Sequence, residues 1–325
     1  TEYMIQKGVI YGEKSAPRRW LDTLCPVLLK LGFTQGENER CAFTNKEGLH
    51  ILVYVDDLWM SGSKAEVLKF VELLRRRFKA KEVSWLTKDN PIGFLGMLFR
   101  MDNGRIYLSM REYIEKVMDG LQPQTHGMTT APVKLPISKT VTDMTPLTGE
   151  AKKFYCSGTG CIGWLNGTGR PDICYLYSRL SQHLATPCMG ALTLLLQGLA
   201  YLNQHKDYCL SARLHGTKQW EAFCDTDFAG DTEPVAKRVS TNAMVLTLND
   251  APVDWSGKKS SVCFPHTQMT EAVADVSSAA VEIYGAGNAS RTILGNSYQA
   301  EEIGIPFPLP FELQMDNEAA IAFIY

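Results

Sequence analysis

Two apolar runs separated by a pair of acids dominate the hydrophobic pattern of the first part of the chain. The runs, residues 50–55 and 58–62, are rich in β-branched, aromatic and long apolar side chains. Such residues suit strands that are buried on at least one face. Because carboxylates are unfavourable in a buried strand, the pattern predicts a hairpin with Asp56 and Asp57 in its turn, side by side and pointing outward.

Adjacent carboxylates on a rigid turn repel each other unless a cation lies between them. Mg²⁺ and Mn²⁺ are hard cations that prefer oxygen ligands, so the hairpin predicts a divalent metal at Asp56 and Asp57. The alternative is a solvated turn in which Asp is simply a good turn former. Apolar residues on both sides of the pair make this the weaker interpretation.

Helical periodicity surrounds this hairpin. A first helix is predicted after Ser15, which can cap it, and Gly32 is its stop. Two sequences of the capping-box type, at residues 63–66 and 109–112, predict two further helix starts. Residues 92–99 have the composition of one strand, and residues 102–104 (Asp-Asn-Gly) form a good hairpin turn.

The pattern changes twice in the second half of the chain. Residues 122–150 are rich in Pro and Thr with few periodic apolar positions, which predicts a linker. Leucines at helical spacing then predict a helical segment. Within it, Arg170 and Asp172 are expected to cap a helix and to form a salt bridge with each other. From Trp220 onward the pattern predicts three antiparallel strands, a helix from about Ser277 and a strand at residues 311–315.

Composition narrows the class of protein. The chain has 325 residues, 45% of them hydrophobic and 21% charged, which is typical of a globular protein with two or three domains. A net charge of -2 gives no global basic signal, so nucleic-acid binding would depend on local patches. Nine cysteines without a CxxC pair indicate reduced intracellular thiols. No apolar run is long enough to span a membrane, and the first residues do not have the layout of a signal peptide.

Short motifs follow one another in the order of a known family. Together they resemble the Pol polyprotein of Ty1/copia-type retrotransposons, with its reverse transcriptase and ribonuclease H regions. The motifs are Tyr11-Gly12 with Lys14, Ala16-Pro17-Arg18 and Trp20; Tyr54-Val55-Asp56-Asp57; Phe94-Leu95-Gly96; Leu108-Ser109 with Tyr113-Ile114; Gly169-Arg170-Pro171-Asp172-Ile173; Cys224-Asp225-Thr226-Asp227; Ser277-Ser278 through Glu282; and Met315-Asp316-Asn317-Glu318.

The resemblance implies an α+β fold in three parts. Residues 1–121 would be a partial reverse transcriptase with palm and the start of a thumb, and residues 122–215 a linker and helical connection. Residues 216–325 would be a ribonuclease H-like domain with a mixed sheet. The family pattern implies that the chain is truncated at both ends.

The family's chemistry is two-metal phosphoryl transfer on RNA, DNA and RNA–DNA hybrids. Asp56 and Asp57 resemble the carboxylate pair of the polymerase site, whose third acid lies upstream of the Tyr11-Gly12 motif. No polymerase activity is therefore expected from this chain alone. The ribonuclease H acids would be Asp225, Glu282 and Asp316, and both sites would use Mg²⁺ or Mn²⁺.

Other expectations follow from the same resemblance. Lys14, Arg18 and Arg19, at the head of the first helix, would contact nucleic acid, although a solvated basic face explains the two arginines equally well. An intracellular location is expected, in a cytoplasmic particle or the nucleus, without a membrane partner. The surplus acids Asp227, Asp231 and Glu318 are expected to be solvated.

Two function classes stay open at this point. The chain is either a fragment of an RNA-directed DNA polymerase with a ribonuclease H domain, or a non-catalytic remnant that at most binds nucleic acid.

Overall fold

The computed structural model describes residues 13–121, 128–135, 141–216, 218–227, 240–259 and 278–324. These residues form helices and three four-stranded sheets, so the predicted mixture of α and β structure is confirmed. The chain divides into two compact units. The first comprises residues 1–83 and 294–309, and the second comprises residues 84–293 and 310–325. The unit boundary after residue 83 lies inside the segment predicted as one reverse transcriptase part.

The first unit combines two helices with one sheet. Its elements are Ala16–Lys30 (α1), Phe33–Gln35 (β1), Ala42–Asn45 (β2), His50–Tyr54 (β3), Asp57–Ser61 (β4) and Lys64–Arg75 (α2). The first helix begins directly after Ser15 as predicted, with Pro17 in its first turn, and it buries Leu24 and Leu28. The predicted cap is wrong, because the Ser15 side chain makes no capping hydrogen bond and its backbone is already helical. The predicted cap of α2 is confirmed, since the Ser63 side chain accepts a hydrogen bond of 3.2 Å from the Glu66 amide.

The sheet of this unit has the order β1-β2-β3-β4, with antiparallel pairing throughout. Alternation along β3 buries Ile51 and Val53 and exposes Leu52 and Tyr54. This period of two indicates a sheet with one face on a core. The hairpin between β3 and β4 is therefore fixed in register by its buried face, which holds its turn in one place.

The second unit begins with a sheet that the sequence pattern only partly predicted. Its strands are Ile92–Phe94 (β5), Met97–Asp102 (β6), Arg105–Ser109 (β7) and Cys209–Arg213 (β8), paired antiparallel in that order. The turn at Asn103 and Gly104 is confirmed, with φ of 47° and 70°. The single strand predicted over residues 92–99 is wrong. Leu95 and Gly96, with φ of 53° and 77°, make a second two-residue turn there.

Helices form the centre of the second unit. They are Arg111–Gly120 (α3), Gly149–Thr168 (α4), Cys174–Ser181 (α5) and Met189–Gln204 (α6), with a 3₁₀ turn at Pro171–Ile173. The predicted cap of α3 is one residue off, because Ser109 is the last residue of β7 and Met110 takes the N-cap position without a side-chain bond. Buried side chains from all four helices share one core.

The last sheet of the second unit is mixed. Its strands are Trp220–Asp227 (β9), Thr241–Leu248 (β10), Ala251–Lys259 (β11) and Leu313–Gln314 (β12), in the order β11-β10-β9-β12. The first three are antiparallel as predicted, and β12 runs parallel to β9. The accompanying helices are Ser278–Glu302 (α7) and Glu318–Ile324 (α8). The residues of α7 from Leu294 onward belong to the first unit.

Within the described residues, no helix has the length and apolarity that crossing a bilayer requires.

Candidate functional site

Strand β9 supplies the first acid of the site. Its residues alternate between buried and exposed, so that Cys224 and Thr226 are buried and Asp225 and Asp227 are exposed. This alternation follows from the period of two in a strand. Asp225 is therefore held on a strand with neighbours on both sides, at a position that solvent and a ligand can reach.

Helix α7 supplies the second acid from its first turns. The Glu282 side chain is 4% exposed, and Val281 beside it is buried as well. The helix lies very close to β9 here, because a Cβ on Gly285 would collide with Oγ1 of Thr226. Only a residue without a side chain permits this approach. Gly285 thus allows the Glu282 carboxylate to come close to the strand that carries Asp225.

The register of β12 against β9 places the third acid. Leu313 pairs with Ala222 and Gln314 pairs with Phe223. Asp316 follows the end of β12 by two residues, and continuing this register by two residues aligns it with Asp225. The next residue, Asn317, accepts a hydrogen bond of 2.9 Å from the Ala320 amide and so caps α8.

The three carboxylates converge. One ligand atom each from Asp225, Glu282 and Asp316 lies within 4.8 Å of the others, and this is the one such cluster of three possible metal ligands among the described residues. The sequence prediction named the same three acids. Carboxylate oxygens are the ligands that Mg²⁺ and Mn²⁺ prefer, so the donor set fits a hard divalent cation.

Electrostatics at this cluster are unfavourable without a cation. Burial raises the pKa of Glu282, and the negative charges of Asp225 and Asp316 raise it further, while the Thr226 amide offsets part of the effect. Burial together with the same three carboxylates raises the pKa of the Cys224 thiol to about 11. Oε2 of Glu282 is buried without a hydrogen-bond partner among the described residues. A buried oxygen of this kind is costly unless a donor or cation meets it.

The second predicted pair, Asp56 and Asp57, lies at the tip of the β3–β4 hairpin. Tyr54 pairs with Asp57, so Val55 and Asp56 form the two-residue turn and Asp57 opens β4. The hairpin is confirmed, but the prediction that both acids lie in its turn is wrong by one residue, because the pairing of Tyr54 with Asp57 places Asp57 on the strand. Both acids are exposed. Val55 has φ of 51°, a left-handed conformation that is costly for a β-branched residue and is found preferentially at functional sites. The roles of Asp56 and Asp57 as metal ligands stay predictions.

The remaining acidic and basic residues that the sequence analysis singled out lie at the surface where the structure describes them. Lys14, Arg18 and Arg19 are exposed at the start of α1, and their contact with nucleic acid stays a prediction. Asp227 and Glu318 are exposed and do not belong to the acid cluster. Asp231 lies outside the described residues.

Replacing Gly285 with alanine is expected to lower thermal stability and weaken divalent-metal binding, because the new Cβ would push α7 away from Thr226. Gly287 is the matched control on the same helix, since a Cβ there would meet nothing within 4 Å. Gly287→Ala should stabilise the protein by about 1 kcal/mol through helix propensity. Thermal melts with and without Mn²⁺ measure both effects, and equal behaviour of the two variants would contradict the close approach.

Comparisons with known proteins identify the chain's relatives. The sequence profile of the family described as "Reverse transcriptase (RNA-dependent DNA polymerase)" matches residues 2–138. The putative transposon Ty5-1 protein YCL074W of Saccharomyces cerevisiae is 30% identical over 263 residues, which cover 78% of this chain and 80% of that protein. The retrovirus-related Pol polyprotein from transposon RE2 of Arabidopsis thaliana is 31% identical over 259 residues, which cover 78% of this chain.

These similarities place the chain in the reverse transcriptase class of proteins encoded by transposable elements. More specifically, the chain belongs to the Ty1/copia family of retrotransposon Pol proteins. The aligned region makes up 17% of the RE2 polyprotein and 17% of the related RE1 polyprotein, so the chain corresponds to a small part of each.

Proposed function

We propose that residues 216–325 form a ribonuclease H-type domain that cleaves the RNA strand of an RNA–DNA hybrid with divalent metal ions. The observation that carries this proposal is the convergence of Asp225, Glu282 and Asp316 from a strand, a helix and the next strand. The mixed sheet with β12 parallel to β9 supports it, because the two strands carry two of the acids side by side.

The charge distribution supports a nuclease role for these residues. When bound, Mg²⁺ or Mn²⁺ would generate a nucleophilic hydroxide from water and stabilise the leaving 3′-oxygen. Glu282 is held by its buried position on α7, whereas Asp225 and Asp316 face solvent, where a phosphodiester can approach. Three carboxylates repel that phosphodiester on their own, so the cluster admits nucleic acid only when its charge is neutralised.

The hairpin that carries Asp56 and Asp57 supports a second proposed activity, the polymerase activity of the reverse transcriptase family. We infer that these two acids contribute to a polymerase metal site acting on an RNA or DNA template. The absence of polymerase activity in this chain alone stays a prediction, which primer extension on an RNA template with Mg²⁺ or Mn²⁺ would test. Lys14, Arg18 and Arg19 are proposed to contact the nucleic acid.

Mn²⁺ is expected to raise the melting temperature of the protein, because a ligand that binds only the folded state stabilises it by about 2.7 kcal/mol at a concentration of 100 times its Kd. Asp225→Asn should remove most of this increment and abolish cleavage of a labelled RNA–DNA hybrid. Asp227→Asn is the matched control on the same strand, and it should preserve both properties.

The competing interpretation, a remnant that only binds hybrid, predicts a different outcome in the same experiment. Wild-type protein would then bind the hybrid in Mn²⁺ without cutting it, and Asp225→Asn would bind equally well. Equal loss of the Mn²⁺ increment in Asp225→Asn and Asp227→Asn would contradict the assignment of the three-acid cluster.

A further inference from the structure

A groove lies beside the acid cluster, between α7 and the strands β10 and β11. It encloses about 370 Å³ within the second unit. Neither the sequence motifs nor the similarity to known proteins gives it a role. The residues that line it are Asn242, Ala243, Met244, Ser256, Lys258, Lys259, Tyr284, Gly285, Asn288, Ala289, Arg291 and Thr292.

The lining of this groove is cationic. Lys258 lines it from β11 and Arg291 lines it from α7, while none of the described lining residues is acidic. Because successive side chains of a strand point to opposite faces, Lys258 lies on the same face as its partner Asn242, and Lys259 lies on the other face. Nη1 of Arg291 donates a hydrogen bond of 3.0 Å to Oδ1 of Asn288, which lies one helical turn earlier on α7. Two positive residues from two walls of one concave surface without a carboxylate favour an anion, and a guanidinium has the geometry to bind a phosphate.

The shape and polar groups of the groove suit a nucleotide. The small residues Gly285 and Ala289 on α7 occupy little of its space. Its volume lies at the lower end of the range for ligand sites, about 300–1,000 Å³, which is suitable for one nucleotide. Oδ1 of Asn242 is buried without a hydrogen-bond partner among the described residues, so it can accept from a hydroxyl or amino group. Tyr284 supplies an aromatic ring at the wall.

Strand register connects the groove with the acid cluster. Asn242 is paired with Thr226, and Ala243 is paired with Asp225. Neighbouring strands lie about 4.8 Å apart, so the wall of the groove begins one strand away from the first acid. On α7, Glu282 and the lining residue Gly285 are separated by less than one turn. A polynucleotide with a phosphate at the cluster therefore has an adjacent positively charged groove.

We propose that this groove binds a nucleotide phosphate of a nucleic acid strand that extends from the acid cluster. The proposal rests on the proposed function for the choice of a nucleic acid as the anion. The groove would hold the strand through its positive charge and through hydrogen bonds to the polar groups of one nucleotide, and Lys258 and Arg291 would be its phosphate ligands. It is a positioning site, and it takes no part in the bond cleavage itself.

The double variant Lys258→Gln/Arg291→Gln tests this site. In buffer with EDTA, its affinity for a short fluorescein-labelled single-stranded DNA is expected to fall about tenfold, measured by fluorescence anisotropy at low salt. The slope of log K against log salt should become shallower by about 0.7 for each phosphate that the variant no longer neutralises. The control Lys116→Gln/Lys134→Gln removes the same charge from two exposed positions of the same unit and should leave the slope unchanged.

Each other outcome overturns the proposal. Equal losses in the two double variants would show a general charge effect. Unchanged DNA affinity with a shifted melting temperature or mass would mean that the groove packs against protein. Competition by AMP as strong as by the DNA would indicate a site for free nucleotides. Because EDTA prevents cleavage, the result is independent of the hybrid-cleavage test, and Asp225→Asn should still bind the DNA.

Discussion

Replacing Arg170 with methionine is expected to lower the free energy of unfolding by about 3–5 kcal/mol, because it leaves a half-buried carboxylate without its partner. The Arg170 side chain is 1% exposed and makes two hydrogen bonds to Asp172, of 2.9 and 2.7 Å. Its Nη1 also donates to the carbonyl of His205 at 3.1 Å. One side chain thus joins the start of the 3₁₀ turn before α5 to the end of α6.

The charge on Asp172 explains the size of the expected effect. Burial raises the pKa of this carboxyl, but the hydrogen bonds and positive charge of Arg170 outweigh burial and hold the pKa below its ordinary value. The Tyr201 hydroxyl donates to the same carboxylate at 2.9 Å. Burial, this hydrogen bond and the carboxylate charge raise the pKa of Tyr201 to about 12, so the phenol stays protonated as a donor.

The pH dependence of stability should change sign at this position. In the wild type the folded pKa of Asp172 is depressed, so its contribution is present above the unfolded pKa of about 3.9 and is lost as the pH falls through the folded value. In Arg170→Met, burial would be opposed only by the hydrogen bond from Tyr201 and one backbone hydrogen bond, so we expect the folded pKa of Asp172 to rise. The contribution of Asp172 to the free energy of unfolding would then be present at low pH and lost as the pH rises through the folded pKa.

Urea denaturation between pH 3 and 7 measures both effects. The double variant Arg170→Met/Asp172→Leu is the control, because replacing both ends of a buried ion pair by apolar residues is often nearly neutral. It should recover most of the stability lost in the single variant. A double variant as unstable as Arg170→Met would show that the arginine acts through its packing and its bond to His205, and not through Asp172.

Sequence reasoning predicted the parts of this molecule that depend on local chemistry. The Ser63 cap and the Asn103-Gly104 turn follow from the preferences of single residues, and both are confirmed. The ion pair of Arg170 with Asp172 was predicted as well, since its members are two residues apart. The resemblance to a family supplied the three acids of the cluster, whose positions along the chain do not show that they meet.

The features that the sequence did not predict have a common physical cause. The turn at Leu95 and Gly96 requires a leucine at positive φ, a conformation that tertiary structure imposes against the residue's own preference. The groove beside the acid cluster is lined by Lys258 of β11 and by Arg291 of α7. Such a combination depends on long-range packing and leaves no periodic signal in the sequence.

Glu282→Gln is expected to raise the melting temperature in EDTA at pH 8 and to remove most of the stabilisation by Mn²⁺. The reason is electrostatic repulsion in the folded protein. Burial and then the charges of Asp225 and Asp316 raise the pKa of Glu282, so its ionised form costs folding free energy near neutral pH. Glutamine has nearly the same shape without the charge, so it relieves this cost and loses the affinity for a hard cation.

The sign of the pH effect separates this explanation from simple packing. Because the folded pKa of Glu282 lies above the unfolded value of about 4.3, its stabilising contribution is present below that value and is lost as the pH rises through the folded pKa. The melting temperature of Glu282→Gln in EDTA should therefore exceed that of the wild type by more at pH 8 than at pH 4.

The matched control is Glu301→Gln, the same substitution at an exposed position near the other end of α7. It should shift neither the melting temperature in EDTA nor the Mn²⁺ increment. A destabilised Glu282→Gln protein in EDTA would instead mean that the native carboxylate is held by favourable donors. The three acids would then be a structural network, and their convergence would no longer support a metal-dependent nuclease.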